Sequence, residues 1–166
     1  SAARTWAQAG IDALKQVEVV SPGCAARLAD ALHQAARAAY FAGEGSAAWP
    51  QVQRALSLSR EHDYLRGEYN ILSLMGLLHW HAGDFAAADD LLGQAVQLID
   101  QVGDPRRQLD ILNNLGVVAK ARARLPQALA YYERAQAIAR RIGDRSGEAM
   151  LLNNMGDVCL EQFNHV

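Results

Sequence analysis

Two imidazoles flank an indole at His79-Trp80-His81, a composition that suggests a metal ligand pair. Helix geometry argues against it. Residues two apart on a helix point about 200° away from each other, and two imidazoles on one ion need i, i+4 spacing. Asp30, His33 and Arg37 do share a helix face, at i, i+3 and i+7. Such a trio could hold an anion or act as an acid–base pair, but an ion-pair network on a surface wall is the favoured reading. Cys24 and Cys159 are far apart in sequence. They are expected to be two small buried hydrophobes rather than a disulfide or a metal site. No phosphate loop, nucleophile elbow or zinc spacing occurs, and Gly43-Glu44-Gly45 has the composition of a turn. The expectation is therefore no enzyme, no metal and no cofactor.

Composition narrows the partners. The 166 residues carry a net charge of −2 with acids and bases interspersed, so the basic stripe of a nucleic-acid binder is missing. Aromatics do not alternate with basic residues as single-strand binders require. No apolar run approaches the roughly 18 residues of a membrane span, and no signal peptide opens the chain. A cytoplasmic, reducing location is the default expectation. The length suits one compact domain or one short solenoid with a continuous core.

The elements that position these residues come from an internal repeat. Leu112-Asn113-Asn114-Leu115-Gly116 returns forty residues later as Leu152-Asn153-Asn154-Met155-Gly156, and forty residues earlier as the weaker Leu72-Ser73-Leu74-Met75-Gly76; one further step back reaches Ala36. A break follows each anchor at Gly43-Glu44, Gly83-Asp84 and Ala123-Arg124. Small residues then recur at Ala48, Ala88 and Ala128, each with a larger one four positions on at Val52, Leu92 and Tyr132. A second small set, Ala55, Ala95 and Ala135, precedes the aliphatics Leu58, Leu98 and Ile138, and Gly103-Asp104 and Gly143-Asp144 close the units. Small residues at fixed points let two helix backbones approach, and the large ones fill the space beside them.

This Leu-Gly, then Ala-x3-large pattern resembles the tetratricopeptide signature. It departs in length, since the common unit is about 34 residues and ends in proline, whereas this one ends in Gly-Asp. The forty-residue unit is similar to the long-repeat branch, which includes Leu-Gly-Asn repeat proteins and the arrays of bacterial signal-transduction ATPases and transcription activators. The resemblance implies an all-α, right-handed α-solenoid of antiparallel helix pairs, about eight helices in all.

The periodicity places helices at about 23–42, 46–61, 66–82, 86–102, 105–122, 125–142 and 145–162, within repeats of about 23–62, 63–103, 104–143 and a truncated 144–166. Residues 1–20 read as an amphipathic helix of a degenerate or truncated repeat, through Trp6, Ile11, Leu14 and Val17. Ser21 is its successor's expected N-cap, with Pro22 at the first helical position. Pro50 and Pro126 are both expected in first turns, where no amide hydrogen is missed. Gln162-Phe163-Asn164-His165 falls where the other repeats turn. A chain that opens and closes on uncapped apolar helices suggests a fragment of a longer protein, or else ends covered by homodimerisation.

The resemblance implies a concave groove walled by the first helix of each repeat. Its rows would be His33, Ser73, Asn113 and Asn153; Arg37, Leu77, Val117 and Asp157; and Tyr40, Trp80, Lys120 and Leu160, flanked by Phe41, His81, Ala121 and Glu161. Asp30, Asn70, Asp110 and Met150 line the N-terminal ends. Tyr40 and Trp80 are either neighbouring interface anchors or core between helices. Asn113 and Asn153 either grip a peptide backbone or bond within the repeat. Arg37 at one end and Asp157 with Glu161 at the other either orient a ligand or are simply solvated. His33 and Arg37 stand where chaperone-binding relatives carry a lysine–asparagine carboxylate clamp, which argues against that mode.

The sequence thus points to a protein-interaction module holding a peptide or partner helix, part of a larger bacterial regulatory or signalling protein. Two other classes stay open. One is a sensor with a closed pocket built from Trp80, Tyr40 and Arg37, and the other is a structural assembly or dimer interface.

Overall fold

The computed structural model describes residues 22–164, so the expected helix over 1–20 and the Ser21 cap lie outside the described residues. Seven helices follow one another there: α1 (Pro22–Phe41), α2 (Gly45–Glu61), α3 (Leu65–His81), α4 (Phe85–Val102), α5 (Pro105–Ala121), α6 (Leu125–Ile142) and α7 (Arg145–Asn164). The described fold is all-α, as the periodicity predicts. Among the described residues no helix is long and apolar enough to cross a membrane.

Each turn between helices passes through one residue of positive φ. These are Gly43, Asp63, Gly83, Gly103, Ala123 and Gly143, spaced at a uniform twenty residues. The left-handed conformation reverses the chain and lets the next amide reach back into the helix just ended. Glu44 N–H donates to Ala39 C=O at 2.9 Å, and the same bond recurs as Tyr64 to Ser59, Asp84 to His79, Arg124 to Ala119 and Asp144 to Ala139. Asp84, Asp104 and Asp144 then cap the helices that follow, each side chain accepting from the amide three residues on, at 3.0–3.1 Å.

A polar clasp repeats in the same register. Arg60 donates to Glu68 at 2.7 Å and Arg140 to Glu148 at 2.5 Å. At the intermediate positions the roles reverse, Gln108 donating to Asp100 at 2.6 Å. Each clasp ties the last turn of one helix to the first turn of the next.

The chain divides into two compact units at the step from Leu78 to His79 in α3. In the first, Leu28, Leu32 and Ala36 of α1 pack with Ala48, Val52, Ala55 and Leu58 of α2 and with Ile71, Leu74 and Leu78 of α3. Tyr64 donates to both carboxylate oxygens of Asp30, at 3.0 and 3.1 Å. Burial first, and then that bond, pushes its phenol up to about 12. In the second unit α5 packs on α4 and α6, and α7 on α6. Ala88, Ala95, Ala128 and Ala135 are fully buried. A Cβ added at Gly116 would collide with the Tyr132 ring, so the glycine is what admits the tyrosine between α5 and α6.

Four expectations need correction. Pro50 lies inside α2 rather than in its first turn: the helix begins at Gly45, so the proline forfeits a bond to Ser46 C=O, tolerated on an exposed face. Helix α7 runs on to Asn164 where a turn was expected. Phe163 occupies the register position of the left-handed residues, and a bulky side chain resists positive φ. Cys159 is exposed and Cys24 only half-buried. Cys159 shares an outer surface of α7 with exposed Leu152, Gly156 and Leu160. In α4 the register aliphatic Leu98 is half-buried, and Ile99 beside it is the one drawn into the core with Leu92.

Two stability measurements follow. Ala123 holds φ 56, a conformation costing a non-glycine residue about 1–2 kcal/mol. Ala123→Gly should stabilise the fold by about 0.5–1 kcal/mol once glycine's extra chain entropy is set against it, seen as a higher midpoint in urea. Gly116→Ala should instead lower stability by about 1–3 kcal/mol, because Tyr132 has to be displaced from a packed core; an unchanged midpoint would mean that the ring yields freely.

Candidate functional site

The expected wall residues of the first unit are largely occupied with their own surroundings. His33 is buried, 7% exposed, so its imidazole offers little surface to a partner. Tyr40 packs against the first unit's core and meets Phe41 edge-on at 5.2 Å; burial raises its phenol above the usual range. Arg37 lies over the Phe41 ring, 5.7 Å from the centroid, leaving Phe41 itself 74% exposed. Asn70 donates to Arg66 C=O of its own helix at 2.9 Å. Leu77 is half-buried.

The second unit brings more of the expected residues together. Trp80, Val117, Lys120, Ala121, Ala123, Tyr132, Asn154 and Glu161 line one cavity of about 380 Å³. That is near the lower end of the usual range for ligand sites, roughly 300–1,000 Å³. Helix α5 supplies Val117, Lys120 and Ala121 on successive turns, α7 supplies Asn154 and Glu161 two turns apart, and the end of α3 supplies Trp80. The left-handed turn at Ala123 and the α6 tyrosine close the apolar side. Tyr132, almost wholly buried, has its phenol pushed up to about 12 by burial and, secondarily, by the Asp157 charge.

Polar groups at the cavity are unequally satisfied. The Lys120 ammonium stands 3.6 Å from the Asp157 carboxylate. Asn154 donates to Asn113 at 2.8 Å, joining α7 to α5. Trp80 Nε1 and Glu161 Oε2, by contrast, are buried and find no hydrogen-bond partner in the protein. A buried group left in that state costs about 1–3 kcal/mol, more when charged.

The two repeated asparagines of the expected wall, Asn113 and Asn153, have different surroundings. Asn113 pairs with Asn154, while Asn153, forty residues from Asn113, is exposed. Adjacent helix positions point about 100° apart, so Asn154 turns toward α5 while Asn153 faces solvent. Asn154, Tyr132 and Ala123 were therefore not anticipated at this site. The Asn-Asn doublet at 153–154 was the available signal for the first of them.

The remaining candidates go separate ways. His79 faces Asp84 at 3.3 Å, and His81 meets Trp80 edge-on at 4.7 Å, so the two imidazoles serve different neighbours. Asp110 touches Arg107 at 3.3 Å, yet burial outweighs that cation and raises its carboxyl above the usual value. Asp89 accepts from both Arg122 at 2.8 Å and Arg124 at 3.2 Å, fixing the turn that carries Ala123. Among the described residues no cluster of His, Cys, Asp and Glu side chains forms a metal site.

Solved structures share this fold. BtubC (BKLC) from P. vanneervenii superposes with a TM-score of 0.81 at 19% identity, over 96% of this chain and 65% of that one. RapI in its apo form gives 0.77 at 15% identity, over 96% and 62%. A signal-transduction ATPase with numerous domains and a tetratricopeptide repeat sensor, from Pyrococcus horikoshii, gives 0.74 at 12% identity, over 83% and 22%. The chain thus spans less than two thirds of each of these three proteins. No curated protein matches the sequence. The tetratricopeptide repeat family matches residues 67–141 and 107–166, together well over half of the chain. Its fold is that of a protein-interaction scaffold, and on these grounds the chain belongs to the tetratricopeptide repeat family.

Proposed function

We propose that this chain is a protein-interaction module that holds an extended peptide or a partner helix against the wall of α5, α7 and the end of α3. By this reading it works inside a larger bacterial regulatory or signalling protein. The carrying observation is the cavity lined by Trp80, Lys120, Asn154 and Glu161, where an aromatic, a cation, an amide and a carboxylate converge on one face. An interface anchor commonly seats in such a pocket. The sensor borne by the P. horikoshii neighbour supports a regulatory setting. There, binding would act by favouring one arrangement of the repeats over another. A cytoplasmic site of action fits the same reading.

A second reading, assembly, draws on one observation. Helix α7 exposes Leu152 (51%), Leu160 (65%) and Phe163 (81%), an apolar surface that a second copy or another helix would cover.

One experiment separates them. A photo-crosslinking residue at Val117 reports on the cavity wall, one at Glu133 on the exposed side of α6, and one at Leu160 on the outer surface of α7. Crosslinks to a foreign polypeptide from Val117 alone are expected. Crosslinks from Glu133 alone would overturn the proposal, and self-crosslinks from Leu160 alone would select assembly.

A further inference from the structure

The cavity in the second unit carries two complementary unmet demands. Trp80 Nε1–H is a donor without an acceptor, and Glu161 Oε2 is an acceptor without a donor. Both residues line the same 380 Å³ space. Protein interiors rarely leave such atoms unpaired without a reason that involves a missing partner.

The charges around the cavity decide what kind of partner. Lys120 and Glu161 are the charged lining residues, but the Lys120 ammonium already stands 3.6 Å from Asp157. The pair offsets itself and leaves Glu161 as the net charge. An anionic ligand would have to compete with Asp157 for Lys120 and approach Glu161 against repulsion. A cationic ligand meets neither obstacle. Val117, Ala121, Ala123 and the Tyr132 ring supply an apolar wall, suited to a methylene stem that ends in a charged head.

We infer that this cavity is the subsite for an arginine side chain of a bound peptide. The guanidinium donates to the Glu161 carboxylate, and a peptide carbonyl beside it accepts from Trp80 Nε1–H, a shift of the two side chains on binding opening these buried atoms to the cavity. Arginine fits better than lysine because its planar fork offers a carboxylate two parallel donors. The inference rests on the peptide-binding reading above and specifies which side chain that surface selects.

The test titrates the intact chain with N-acetyl-arginine N-methylamide and follows the indole N–H signals by NMR. Trp80 is assigned by its loss in Trp80→Phe, and the Trp6 and Trp49 signals serve as references. The Trp80 signal should move downfield and saturate at roughly millimolar probe, the affinity of a single-residue fragment. The citrulline counterpart, neutral but of the same shape, should bind about tenfold more weakly, since it forfeits the charge-assisted bond. Glu161→Gln should remove the preference for arginine while the circular dichroism stays unchanged. Equal binding of arginine and citrulline, stronger binding of N-acetyl-glutamate N-methylamide through Lys120, or a Trp80 signal that none of the probes moves would each overturn the assignment. A foreign polypeptide crosslinked at Val117, together with an unmoved Trp80 signal, would leave the interaction surface standing and remove only its arginine subsite. Arginine binding at Trp80 without a crosslinked polypeptide would leave a guanidinium site standing and remove its assignment to a bound peptide together with the peptide-scaffold reading.

Discussion

The architecture depends on a reversal that repeats every twenty residues. At Gly43, Asp63, Gly83, Gly103, Ala123 and Gly143 the backbone enters the left-handed region. Without that change of hand, the helix would either continue or leave by a longer loop. The reversal is short enough to hold α1 against α2, α4 against α5, α5 against α6 and α6 against α7. It also brings an aspartate to the start of α4, α5 and α7, where its carboxylate meets an orphan amide.

Contact at that distance dictates what the facing surfaces carry. Backbones brought so near admit only small side chains at the crossing, hence the buried alanines at 48, 88 and 128 and at 55, 95 and 135. Large residues fill the space to either side, and Tyr132 reaches across to Gly116. Polar groups between helix ends are drawn into the same register, as the clasps at 60–68, 100–108 and 140–148 demonstrate. The middle clasp keeps its position but reverses donor and acceptor, so the geometry constrains the site more tightly than the residue types do.

The cavity of the second unit is a by-product of this regularity. Residues on successive turns of α5 and α7 line one side, and a turn and a tyrosine of α6 close another. Most polar groups there find partners: Lys120 has Asp157, and Asn113 has Asn154. Trp80 and Glu161 do not. In a wall whose other members are satisfied, those two atoms give the cavity its chemical preference.

The sequence by itself determined the helices and their period, because a forty-residue repeat of small and large residues leaves one way to pair them. It also named Trp80, Val117 and Lys120, by resemblance to the family, and these three line the cavity of the second unit. What only the tertiary structure decided was the fine rotation and depth of each side chain. It paired Asn113 with Asn154, drew His33 into the interior, and carried α7 on through Phe163. Above all it placed Trp80 and Glu161 on one cavity without partners. Periodicity specifies which face a residue occupies. Whether a polar atom on that face is satisfied depends on angstrom-scale contacts between helices far apart in sequence, and these exist only after packing.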